Sequence, residues 1–129
     1  LVIADSGVQG KTKETVTMIR EMGEKATPML SRLGELTSEI EKYIEKKDII
    51  NIGKNMTEAH RQLSMLNLNI EKTDLFVKEA MKNGALGAKI SGGGKGGCII
   101  ALADSRERAE KIGKVLTEKG AVNIWIENL

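Results

Sequence analysis

With 129 residues, 40% hydrophobic and 29% charged side chains, the chain has the size and make-up of one globular domain and excludes a disordered tail. Its net charge of +2 comes from 20 basic and 18 acidic residues interspersed along the sequence, and aromatics make up only 2%. Neither a basic footprint nor a stacking platform for nucleic acid is present.

No apolar run nears the roughly 20 residues that a spanning helix needs, and no signal-peptide pattern is seen. One cysteine and one histidine are too few soft ligands for a structural zinc site. Cys98 reads as a small buried hydrophobe in a reducing compartment, so a cytoplasmic protein is expected. The chain opens at Leu1 directly on a strand-like run, which raises the expectation that it is a piece of something longer.

In chain order, "LVIAD" (1–5) is a continuous apolar run that suits a central strand covered on both faces. "SGVQGKT" follows as a loop, and Thr12 is expected to cap a helix whose inner face carries Val16, Ile19 and Met22. Gly23 breaks that helix. Thr27-Pro28 restarts it, with Thr27 as cap and proline in the first turn. Met29, Leu33, Leu36, Ile40 and Tyr43 alternate by four and three, the mark of a helix packed on another, read as core or dimer contact. Asp48 is expected to cap a further helix with Ile52, Met56, Ala59, Leu63 and Leu66 inward. "NLNIEKTD" reads as a turn, and "LFVKEAMK" as a short helix closed by Asn83-Gly84. "GAKI" and "GCIIALA" are strand-like, Ser105 caps a helix ended by Gly120, and "VNIWIEN" alternates as a half-covered strand. The order is strand, several helices, strand, strand, helix, strand. It implies an α+β fold: a ferredoxin-like split β-α-β antiparallel sheet with helices on one face and extra inserted helices.

Two glycine-bearing stretches invite a phosphate reading. "GVQGKT" (7–12) ends like a P-loop, but only Val8 and Gln9 separate Gly7 from Gly10 where that loop needs four residues. It reads as a strand-to-helix turn. "SGGGKGGC" (91–98) is harder to dismiss. Glycine is the least orderable residue, yet this run lies between two apolar strands. A tight hairpin whose glycines allow positive φ is the plain explanation. A two-residue turn, however, needs one or two glycines, and here five of the six positions 92–97 are glycine. The excess implies that something packs against the loop.

"GALGAKISGGGKGGCIIAL" (84–102) resembles the C-terminal glycine-rich motif of the GHMP small-molecule kinases. "IADSGVQGKTKETV" near the start and "MTEAHRQLSMLNLNIEKTDLFVKEA" in the middle also resemble the corresponding stretches of the mevalonate kinase family within them. The resemblance spans essentially the whole chain and implies that residues 1–129 form a GHMP kinase C-terminal domain. The Pro-x-x-x-Gly-Leu-Gly-Ser-Ser-Ala loop with which such kinases hold ATP has no counterpart here, nor have the catalytic lysine and aspartate of their N-terminal half.

The expectations that follow are those of half an enzyme. No catalytic residue lies in this chain, and ATP and Mg2+ are bound mainly by the absent N-terminal half. The activity of the whole would be transfer of the γ-phosphoryl group to the 5-hydroxyl of mevalonate, the fragment alone being inactive. Ser91, Gly92, Gly93, Gly94, Gly96 and Gly97 would close against the phosphate loop. Thr12, Ser6 and His60 would contact substrate or γ-phosphate, with helix capping as the rival role for Thr12 and a structural role for His60. Lys95 reads as a solvated lysine. The partners implied are mevalonate, the N-terminal half and, through the stripe of residues 29–43, a second copy in a homodimer. Another kinase of the superfamily (for phosphomevalonate, homoserine or a sugar) and a non-catalytic ferredoxin-like ligand module are the alternatives.

Overall fold

A computed structural model describes residues 1–91 and 95–129. Four strands, β1 (Val2–Asp5), β2 (Gly87–Ser91), β3 (Cys98–Leu102) and β4 (Asn123–Ile126), form one antiparallel sheet in the order β2-β3-β1-β4. Five helices complete the chain: α1 (Thr12–Met22), α2 (Thr27–Glu45), α3 (Ile49–Met65), α4 (Glu71–Lys82) and α5 (Arg106–Glu118). The strand order is that of the split β-α-β fold the sequence implies, with α2, α3 and α4 following α1 within the first crossover.

Register decides which side chains share a face. Val2 lies opposite Ala101 and Ile126, Ala4 opposite Ile99 and Ile124, and Ala88 and Ile90 opposite Ala101 and Ile99. All of these point to the face on which α4 contributes Phe76 and Ala80 and α5 contributes Ala109, Ile112 and Leu116. This is the main core, and Val2, Ala4, Phe76, Ile112 and Leu116 are fully buried in it.

The second face is covered in part. Ile100 and Leu102 of β3 pack with Ile52 and Met56 of α3 and with Ile40 and Tyr43 of α2, so the α2–α3 hairpin wraps over the β2 side of the sheet. Two glycines permit that approach: a Cβ on Gly53 of α3 would collide with the Leu86 carbonyl oxygen, and one on Gly87 of β2 with that of Gly53. β1 is central as expected, but only its Val2/Ala4 side is fully buried, whereas Ile3 and Asp5 are half-buried.

Several local expectations hold. The Asp48 carboxylate accepts hydrogen bonds from the Asn51 backbone N–H and side-chain amide at the start of α3, and the Ser105 hydroxyl accepts the Arg108 N–H at the start of α5. Gly23, Gly84 and Gly120 take the positive φ that ends a helix.

Others are corrected. Thr12 and Thr27 are the first residues of their helices, not caps. Lys11 precedes α1 without a capping side chain, and Ala26 is itself right-handed helical because a 3₁₀ turn over Gly23–Lys25 runs into α2. The inward side of α1 is Thr15 with Met18, Ile19 and Met22, while Val16 is exposed. α4 begins four residues before "LFVKEAMK", because the Thr73 hydroxyl exchanges hydrogen bonds with the backbone N–H and carbonyl of Ile70 and fixes an earlier turn. No helix among the described residues is long and apolar enough to cross a membrane.

Candidate functional site

β1 and β2 end, and β3 and β4 begin, at the same edge of the sheet, where Asp5 pairs with Cys98 and Asn123, and Ser91 pairs with Cys98. The loop leaving β1 and the glycine-rich segment entering β3 therefore meet there. They are stitched together by backbone. Gly97 O accepts from the Ser6 N–H at 3.0 Å and from the Ser6 hydroxyl at 2.6 Å, and the Gly97 N–H donates to Val8 O at 2.7 Å. The same hydroxyl accepts the Val8 N–H at 3.2 Å, so completely buried Ser6 uses its side chain entirely within the clasp.

Glycine is required at this contact for a reason the sequence reading had only in general form. Gly96 has φ 141° and a Cβ there would sit 2.5 Å from Val8 O, while Gly97 has φ 76°. What packs against residues 96 and 97 is the neighbouring loop of the same chain. Lys95 is itself left-handed at φ 58°, half-buried, and donates its N–H to Leu68 O at 2.6 Å in the α3–α4 connection. Gly92, Gly93 and Gly94 lie outside the described residues.

The "GVQGKT" turn does not cradle an anion with its first amides. The Gly7 N–H is held by Asp5 Oδ1 at 2.9 Å, and the Val8 N–H by Ser6. Beyond it, α1 starts in solvent, with Lys11, Thr12 and Lys13 exposed, Lys11 lying 3.8 Å from Glu14. An exposed hydroxyl and two ammonium groups at the N-terminal turn of a helix form a chemistry suited to phosphate oxygens.

His60 is not open to a ligand. Its Nδ1 accepts the Ile90 N–H at 3.3 Å, which leaves Nε2 as the protonated nitrogen that donates to Asp74 Oδ1 at 3.1 Å. The side chain is only 13% exposed. Cys98 is half-buried at the sheet edge, and burial first, then the Asp5 carboxylate, raises its thiol above the ordinary range. The loop clasp and the His60 contacts join positions 14 to 91 residues apart, which no local pattern could announce. The surplus glycine was the one signal for the clasp.

An α+β sheet of this order, with a glycine-rich β2–β3 connection clasped to the loop after β1, defines a recognisable class. Residues 40–122 match the family described as "GHMP kinases C terminal". The chain belongs to that family of C-terminal domains. Among individual proteins it is similar to mevalonate kinase of Pyrococcus horikoshii, 35% identical over 84% of this chain and 35% of that protein. Mevalonate kinase of Thermococcus gammatolerans is 34% identical over 98% of this chain and 40% of that protein. Galactokinase of Pyrococcus furiosus shares 39% identity over a shorter stretch, 60% of this chain and 22% of that protein. In structure, L. major mevalonate kinase in complex with R-mevalonate superimposes with a TM-score of 0.85 at 28% identity, over 96% of this chain and 40% of that one. The chain thus spans well under half the length of these relatives.

Proposed function

We propose that residues 1–129 are the C-terminal domain of a mevalonate kinase, working together with an N-terminal half that carries the ATP-binding loop, the Mg2+ ligands and the catalytic lysine and aspartate. The whole would transfer the γ-phosphoryl group of ATP to the 5-hydroxyl of mevalonate, and this chain alone would not. The observation that carries the reading is the clasp between Ser6, Val8 and Gly97, which holds the glycine-rich segment beside the loop that leads into α1. Similarity to mevalonate kinases over most of the chain supports the substrate.

Phosphoryl transfer is governed by positioning and by charge neutralisation around the nucleotide. Bound ATP with Mg2+ supplies the group to be transferred. The residues of this chain suited to meet its phosphates are Thr12, through its exposed hydroxyl, and Lys11 and Lys13 at the α1 start. Ser91, Gly96 and Gly97 would shape the wall of the cleft, as would Gly92, Gly93 and Gly94. Ser6 serves by holding Gly97 and not by touching substrate. The stripe Met29, Leu33, Leu36, Ile40 and Tyr43 is packed inside the chain, so a homodimer through α2 would use Leu30 and Ile44, which are exposed on that helix.

The test is substrate choice. This chain is fused behind the N-terminal portion of the Pyrococcus horikoshii relative, and ADP release is followed with mevalonate and with galactose. Mevalonate-dependent release is expected. Release with galactose in place of mevalonate would keep the superfamily and overturn the substrate, and release with neither would overturn the reading.

A further inference from the structure

The glycine-rich segment is pinned at both ends by groups that meet at one carboxylate. Upstream, Ile90 is the penultimate residue of β2, an edge strand. Its N–H points away from β3 and finds its acceptor in His60 Nδ1 on α3. Downstream, the Lys95 N–H is held by Leu68 O. The next residue, Asn69, donates its side-chain amide to Asp74 Oδ2 at 2.5 Å, while His60 Nε2 donates to the other oxygen, Oδ1. Asp74 therefore joins the holder of Ile90 to the turn that holds Lys95.

We infer that His60 and Asp74 are positioning residues, a clamp that sets the spacing between Ile90 and Lys95 on the two sides of the glycine run. Neither ring nitrogen of His60 is available to a substrate, and the two contacts have different jobs: Nδ1 holds the strand, and Nε2 ties that hold to the turn. The inference about geometry stands on the hydrogen bonds alone. Its consequence for catalysis rests on the kinase reading above.

The two nitrogens can be separated by substitution. In His60→Asn the side-chain oxygen falls where Nδ1 was and can still accept the Ile90 N–H. In His60→Gln the amide falls where Nε2 was and can still donate to Asp74, but nothing accepts from Ile90. Asp74→Ala removes both acceptor oxygens, so it breaks both links.

Amide hydrogen exchange is measured on the 129-residue chain at Ile90, Lys95 and Gly97. His60→Asn is expected to keep Ile90 protected, and His60→Gln to lower its protection about tenfold, the scale of one lost hydrogen bond. Asp74→Ala is expected to loosen Ile90 or Lys95. In the fused kinase, His60→Gln lowers kcat about tenfold or more with KM for mevalonate little changed, and His60→Asn restores most of it, as for a displaced but intact site. Equal exchange at Ile90 in the Asn and Gln variants overturns the clamp, as does a Gln variant that outperforms Asn. Where His60→Gln does not fold by circular dichroism, unchanged exchange at both Ile90 and Lys95 in Asp74→Ala overturns it. A fused wild type without turnover would count against the kinase reading alone, because the exchange measurement still decides the clamp.

Discussion

Ser6 and Cys98 sit at the same sheet edge and show how position overrules residue type. A buried hydroxyl in reach of open backbone groups becomes structural, and Ser6 is used up by Gly97 O and the Val8 N–H. A thiol at a strand end is reactive only as thiolate, and burial beside Asp5 keeps Cys98 protonated beyond the usual range. The sign follows from the raised value. The unfolded thiol ionises first, so the contribution to stability is whole below its ordinary pKa and is lost as pH rises through the folded value. At pH 8 iodoacetamide is expected to modify Cys98 several-fold more slowly in the folded chain than in urea, roughly tenfold for each unit of raised pKa. Equal rates would show an open thiol. From sequence Cys98 reads as a small buried hydrophobe; it is only half-buried, and the Asp5 neighbour, 93 positions away and opposite it in register, is invisible there.

At the scale of elements, the legible features were those whose cause is local. Asp48 and Ser105 cap their helices because each stands at a true break in the helical backbone, Ser105 fully extended at φ −155°. Thr12 and Thr27 look the same in the sequence and do not cap. Nothing local says that Ala26 is already helical, or that the hydroxyl of Thr12 sits inside the first turn. The inner face of α1 was misjudged at Val16 because the helix touches the core along a narrow line, Thr15 being its one buried residue among those described.

The α3–β2 contact is likewise tertiary: "IG" at 52–53 and "LG" at 86–87 carry no hint that their backbones touch. Gly87→Ala, with ordinary strand dihedrals but no space, is expected to cost about 3 kcal/mol or more, as overpacking against a backbone cannot relax. Gly34→Ala on α2, where a Cβ meets nothing, is expected to be neutral or slightly stabilising. Urea unfolding of the two variants checks the contrast. Equal midpoints would mean that α3 does not approach β2 so closely.

For the whole molecule, sequence carried the fold class well, because strand and helix periods alternate in an order that few architectures satisfy. The site was half legible. Excess glycine announced a close approach at residues 91–98, yet what approaches residues 96 and 97 is the β1 exit loop. The anchors at His60, Asp74 and Leu68 could only be seen in three dimensions. The sheet edge so built offers an exposed α1 start beside the clasped residues Gly96 and Gly97.

That division of labour makes the decisive measurement simple: mevalonate-dependent ADP release by this chain alone, and again with the N-terminal portion of the Pyrococcus horikoshii relative added as a separate chain. Silence alone and turnover on addition are predicted. Turnover by the 129 residues unaided, or silence in both mixtures, would contradict the account.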